Sequence, residues 1–256
     1  MRTIEKLPQP TRLTEWRAPR MLANRPAATE CDYESLRKAP GVIEVVENGL
    51  FAEQGGICAY TGHQIYLAPA DPHQGTHREV KFHLEHLTPQ AHCAYGQAAD
   101  YANLVACWPR PNCGFEPAYG AKKKGSWPAP AEQGLFVSPL RPDCSSRFKY
   151  NHRGEIAAAQ NNDVPAETTI EKLGLAHHTL TELRRNAIRG ALNPASRQIT
   201  LAEAQKLLAD MKHAAAQLNA GVAAKLMPFC FAIEPALQRE IRKLEGIMNR
   251  GRSKVG

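Results

Sequence analysis

His83-Leu84-Glu85-His86 sets three groups able to bind a metal or carry a proton side by side, and Pro89 closes the run. A carboxylate next to an imidazole supplies two parts of a metal-assisted hydrolase: a hard oxygen ligand and a base that works near neutral pH. Pro89 disfavours helix at Thr88, so residues 81–87 read as a strand entering a turn. A strand sends His83 and Glu85 to one face and His86 to the other, whereas a helix would make His83 and His86 neighbours. The chemistry these types suggest is attack of water on a phosphate ester. His86 is the expected general base, and Glu85 the expected ligand of Mg²⁺ or Mn²⁺ against a non-bridging phosphate oxygen. Asn103, in the apolar setting Tyr101-Ala102-Asn103-Leu104, is expected to tie the hairpin loop to the following helix and hold His86 in orientation. His83 reads either as an extra ligand or as a strand residue meeting solvent.

Around this run lie cysteines and lysines. Cys58 precedes it, Cys107 and Cys113 follow it, and Cys93 falls between. A structural zinc site could use Cys58, Cys107 and Cys113 with a fourth ligand such as Cys93. Thr61 stands three residues after Cys58, Thr is not a usual zinc ligand, and Cys107 and Cys113 are six apart, so a four-thiolate site cannot be built from these two pairs alone. The other reading has Cys58 and Cys107 packed in the core without metal. Lys122, Lys123 and Lys124 form a basic cluster suited to phosphate, against which stands a plain solvated loop. Trp127 suits either stacking on a base or packing.

These residues need elements to hold them. Leu36, Val42, Val45, Val46, Leu50 and Phe51 follow helical spacing, broken near Pro40-Gly41 and ended by Gly55-Gly56. Residues 57–127 are irregular and rich in Cys, His, Gly and Pro. Beyond about residue 166 the pattern is helical: a segment ending at Gly174, a second from Leu180 to Leu192 stopped by Asn193-Pro194, and a third from Leu201 to Leu218. Thr200 and Glu203 supply that third helix with a capping box. A last helix is expected from Glu234 to Met248. Residues 1–30, with Pro8, Pro10, Pro19 and Pro26 among Arg12, Arg17, Arg20 and Arg25, read as an extended basic arm with Leu13 and Trp16 as docking points.

The 256 residues carry a net charge of +7, with a pI near 9.1. That favours a polyanionic partner and adds support to a phosphate-directed motif without proving it. The N-terminal residues lack the apolar core of a signal peptide, and no apolar run is long enough to span a bilayer. With seven scattered Cys, a reducing cytoplasmic setting without membrane contact is expected.

The order Glu-His, then Asn, resembles the HNH nucleases, whose ββα-metal unit carries these residues. The similarity extends to the HNH subunits of retron and Septu anti-phage systems. It runs through Gln54-Gly55-Gly56-Ile57-Cys58-Ala59-Tyr60-Thr61-Gly62, His83-Leu84-Glu85-His86, Tyr101-Ala102-Asn103-Leu104-Val105-Ala106-Cys107, Tyr119-Gly120-Ala121-Lys122-Lys123-Lys124-Gly125 and Phe136-Val137-Ser138-Pro139-Leu140. Further blocks continue it to about residue 192. The resemblance implies an α+β, helix-rich fold with a small ββα-metal unit embedded between N- and C-terminal helices. It divides the chain into the arm at 1–30, a nuclease domain at 31–160 and a helical region at 161–256. It implies a metal-dependent endonuclease cleaving DNA as effector of a defence system, beside an ABC- or SMC-like ATPase. A retron reverse transcriptase with its RNA/DNA is admitted as a third component. Glu85, His86 and Asn103 are carried over. The third HNH position falls near Ala121, which cannot bind metal, leaving Asn112 or Asp143 as substitutes. The alternative is a nucleic-acid-binding, zinc-stabilised interaction subunit with weak or no catalysis. For docking to the ATPase, the arm and the helices from 201 to 248 are the available parts.

Overall fold

Two antiparallel hairpins stand inside a shell of helices in the computed structural model, which describes residues 1–22, 30–68, 79–110, 113–114 and 116–252. The protein is α+β and helix-rich. No described helix is long and apolar enough to cross a membrane.

The first helix, α1 (Thr11–Arg17), lies where an extended arm is expected, and it runs on into a 3₁₀ turn over Ala18–Met21. The prolines do not prevent this. Pro10 takes the position just before the helix and Pro19 sits in the first turn of the 3₁₀ segment, where a missing N–H costs nothing. Leu13 is fully buried, Ile4 is buried, and the backbone N–H of Ile4 donates to Pro139 O at 2.8 Å. Residues 1–22 are therefore part of the core; Arg25 and Pro26 lie outside the described residues.

Asp32 caps α2 (Tyr33–Arg37) by accepting from the Ser35 N–H at 2.7 Å, and Pro40 opens α3 (Pro40–Glu53). The break at Pro40 and the stop at Gly55-Gly56 fall where the sequence predicts. Both glycines have positive φ, and at Gly55 a Cβ would stand 2.7 Å from Leu218 and Leu226.

The central hairpin pairs β1 (His83–His86) with β2 (Leu104–Cys107) in the register His83 to Cys107 and His86 to Leu104. The one-turn helix α4 (Ala121–Lys124) follows. A second hairpin joins β3 (Phe148–Tyr150) to β4 (Ile156–Ala158). Its turn packs tightly on the chain's later helices, because Gly154 has φ +79° and a Cβ there would meet Thr181 O at 2.3 Å.

Then come α5 (Val164–Lys172), α6 (His178–Leu192), α7 (Leu201–Asn219) and α8 (Cys230–Arg252). The capping box of α7 forms as expected, with Thr200 and Glu203 bonding reciprocally. The last helix starts earlier than the pattern suggests and takes Pro235 inside its first turns. Buried Arg184 on α6 donates to Gly154 O and Leu175 O, both at 2.7 Å, and locks the second hairpin to the helices. One hydrophobic cluster draws on all three stretches anticipated from sequence, from Leu13 through Leu104 to Leu237.

Candidate functional site

Along β1, exposure alternates as a two-sided strand requires: His83 and Glu85 are half-buried, Leu84 and His86 buried. Leu84 and His86 turn towards the interior. His83 and Glu85 share the other face, with His83 Nε2 4.0 Å from Glu85 Oε2. The other ring nitrogen of His83 bonds to Pro109 O. The strand thus splits the expected pair Glu85 and His86 between two environments and gives Glu85 a different histidine.

His86 sits in a cage. Its Nε2 is 2.9 Å from Ala98 O, and the edge of the Tyr33 ring packs against it with centroids 4.6 Å apart. A carbonyl only accepts, so Nε2 carries the proton and Nδ1 is left as the basic nitrogen. Burial lowers the His86 pKa below its ordinary 6.5, opposed by the bond to Ala98. The imidazole is accordingly neutral at pH 7.

Asn103 is a clamp on the loop between the strands. Its main-chain oxygen accepts from Leu87 N at 2.9 Å and its Oδ1 from Thr88 N at 2.7 Å, so the ladder is continued by a side chain. Its Nδ2 donates to Thr88 O at 3.1 Å, Gln97 O at 3.3 Å and Cys93 Sγ at 3.4 Å. Gln97 adjoins Ala98, the carbonyl that His86 holds. Asn103 thus reaches His86 through the loop rather than by contact.

The lysine cluster divides. Lys123 is exposed, and Lys122 is exposed and paired with Glu116 at 3.1 Å. Lys124 is a different case: the helical turn points it inward, its side chain has no exposed surface, and its Nζ lies 2.8 Å from Glu85 Oε1. The same Nζ donates to His86 O at 2.8 Å. The contact with Oε1 lacks hydrogen-bond alignment and is an ion pair. Burial raises the Glu85 pKa and the Lys124 charge opposes it. For Lys124 the solvated-loop alternative is corrected: it is buried as a partner of the carboxylate, whereas Lys122 and Lys123 are exposed. Of the two readings of Trp127 the structure bears out packing: the ring is buried edge-on against Phe136.

Two further glycines place α4. Gly120 N donates to Leu173 O at 2.7 Å, and at Gly174 a Cβ would meet Ala118 O at 2.7 Å, so the end of α5 holds the start of α4.

Cys58 and Cys107 are both buried. Burial pushes the Cys58 thiol up, but bonds from Cys107, from the Thr61 hydroxyl and N–H and from Trp108 N–H outweigh it, leaving a pKa of about 6. Thr61 thus turns a would-be ligand position into a donor to sulfur. Cys93 bonds to Asn103 at the opposite end of β2 from Cys107, so it is not placed to complete a site with the pair. Cys113 is half-buried. Asp143 is forked by Arg141 at 2.8 and 2.9 Å and also paired with Arg147, away from the first hairpin. Asn112 lies outside the described residues. Among the described residues, no three of His, Cys, Asp and Glu converge. His83 Nε2 and Glu85 Oε2 remain as a pair of donors on one face. Such a pair suits a hard divalent cation that keeps several waters and takes phosphate oxygens.

Sequence reading passed over Gln54 and Tyr33. The buried Gln54 amide acts as a length of strand: Nε2 donates to Ile57 O at 2.9 Å and Ala106 O at 2.8 Å, while Oε1 accepts from Ala106 N at 2.7 Å. A polar residue directly before Gly55-Gly56 was the available signal. A scan against protein-family models gives no match to this chain, and a search of the curated proteins gives none either.

Proposed function

We propose that the chain is a divalent-cation-dependent endonuclease of the HNH type, a cytoplasmic effector of an anti-phage system that works beside an ABC- or SMC-like ATPase and cleaves DNA. The observation that carries this reading is the hairpin followed by a helical turn, with an imidazole whose Nε2 is committed to Ala98 O and whose Nδ1 is thereby the base. The basic net charge and exposed Lys122 and Lys123 suit a phosphate backbone.

In this mechanism His86 Nδ1 removes a proton from the attacking water, and its neutral form is favoured by burial. His83 and Glu85 would hold the cation, which when bound supplies positive charge to the phosphate oxygens and the leaving 3′-oxygen. Asn103 keeps the loop, and through it Ala98 O and the ring of His86, in one position. Tyr33 shields the ring, so the nucleic acid has to displace it or enter beside it.

A second reading, a binding subunit with little catalysis, is favoured by the shielding of His86 under Tyr33 and the pairing of Glu85 with Lys124. Plasmid nicking by the purified chain with Mn²⁺, with and without EDTA, separates the two. We expect His86→Ala to lower the chelator-sensitive rate by about 10²–10⁴-fold, as removal of a general base does, with an unchanged circular dichroism spectrum. Near-wild-type nicking by this variant would overturn the assignment, and no nicking by the wild type in the presence of its ATPase would favour the binding subunit.

A further inference from the structure

Glu85 already has a cation. The Lys124 ammonium is 2.8 Å from Oε1, has no exposed side-chain surface and is fixed from behind by His86 O, also at 2.8 Å. Oε1 is buried, and Oε2 lies on the His83 side, 4.0 Å from Nε2. With a metal–oxygen bond of about 2.1 Å, an ion on Oε2 would lie no more than about 7 Å from Nζ, and two cations at that separation on one half-buried carboxylate repel. The carboxylate cannot serve both at full strength.

We propose that Lys124 is a built-in counter-ion that competes with the divalent cation for Glu85, so that loading the site turns Lys124 out of its pocket. This rests on the reading of Glu85 as a metal ligand. Among the described residues Lys124 Nζ has one ion pair, to Glu85, and one hydrogen bond, to the His86 carbonyl. The place it would leave for is the outer face of α4, where Lys122 and Lys123 are exposed. There a phosphate of the nucleic acid can take the released charge. Metal and nucleic acid then bind with positive coupling, since each removes the obstacle to the other. The isolated chain would hold metal weakly and stay idle until a polyanion arrives. Lys124 acts here as a positioning residue.

The test needs no turnover. Free Mn²⁺ is followed by electron paramagnetic resonance during titration of the full chain, of Lys124→Met and of Lys124→Gln, with Glu85→Gln as the control without a carboxylate. We expect both Lys124 variants to bind Mn²⁺ at least tenfold more tightly than wild type, and Glu85→Gln to abolish binding. A substitution that unpairs a buried carboxylate can harm folding, so a second measurement uses the wild type alone. Reductive methylation of lysines, read by mass spectrometry after cleavage at glutamate, should modify Lys124 several-fold faster with saturating Mn²⁺ than with EDTA. Equal, Glu85-dependent affinity in wild type and variants, or Lys124 equally protected with and without Mn²⁺, would overturn the competition while leaving the nuclease reading intact. Failure of all of these proteins to bind Mn²⁺ more tightly than Glu85→Gln would overturn the metal reading and this proposal together.

Discussion

Glu85 and His86 are neighbours in the chain but not in their surroundings, because a strand turns successive side chains to opposite faces. That division was legible from the alternation around Pro89. The partner of each group was not: Tyr33, Ala98 and Lys124 come from three separate segments, and no local pattern announces them. Three consecutive lysines look alike in sequence, and only the helical turn at Ala121 separates an inward one from two outward ones. His63 is a further case. It stacks on Trp108 with centroids 4.2 Å apart and rings nearly parallel, and burial, aided by the Arg184 charge, lowers its pKa to about 4. Since the folded value lies below the unfolded 6.5, the unfolded chain binds more protons between the two. Stability from this group is complete above pH 6.5 and is lost as pH falls towards 4, a loss on the order of 3 kcal/mol. His63→Phe keeps an aromatic ring on Trp108 and removes the titration. Urea unfolding at pH 7 and pH 4.5 should therefore show a smaller loss for the variant than for the wild type. Equal losses would mean that His63 is not a source of acid sensitivity.

At the scale of elements, local signals that act within a few residues were the readable ones. The capping box at Thr200, the stop at Gly55-Gly56 and the break at Pro40 are short-range chemistry, and each falls where the sequence puts it. Helix α1 was missed because proline density was weighed without position, and both Pro10 and Pro19 occupy sites that tolerate them. The edge of the first hairpin was missed for a different reason: its third strand is a side chain. Gln54 satisfies both main-chain groups of Ala106 and the carbonyl of Ile57. Gln54→Ala would leave the Ala106 N–H and the Ile57 carbonyl without these partners, while Ala106 O keeps the Ala59 N–H at 3.2 Å; the cost is about 1–3 kcal/mol. We expect a lower urea midpoint with an unchanged slope, together with faster amide exchange at Ala106. An exchange rate at Ala106 equal to that of the wild type would show that solvent or a neighbour replaces the amide.

For the whole molecule, the decisive correction concerns the N-terminal stretch. A detachable arm would leave the hairpin untouched when removed. The structure instead runs Lys6 into the centre: its Nζ donates to Leu104 O of β2 and to Glu53, each at 2.7 Å, and Glu53 also accepts from Leu7 N and from the Tyr101 hydroxyl. Arg17 pairs with Asp100 at 3.0 Å, beside the turn that carries Asn103. Leu13 and Ile4 fill the same cluster as Leu104, and Trp16, offered by the sequence as an anchor for a partner, packs against that cluster with Arg20 over its ring. Deleting residues 1–22 therefore strips the back of the first hairpin and leaves the buried Glu53 carboxylate without its lysine, a loss of about 3–5 kcal/mol for the broken ion pair alone. That is a large part of the stability of an ordinary domain. The truncated chain should lose its cooperative thermal transition, and with it the proposed nicking and the proposed binding to an ATPase. Lys6→Met, which removes the charge but keeps the stem, should lower the melting temperature and preserve the fold. A truncated chain that still melts cooperatively near the wild-type temperature would restore the arm to the role of a separable docking segment. If the cooperative transition is lost, the proposed ATPase has the outer faces of α7 and α8 left to dock on, where Ile247 and Met248 are about half exposed.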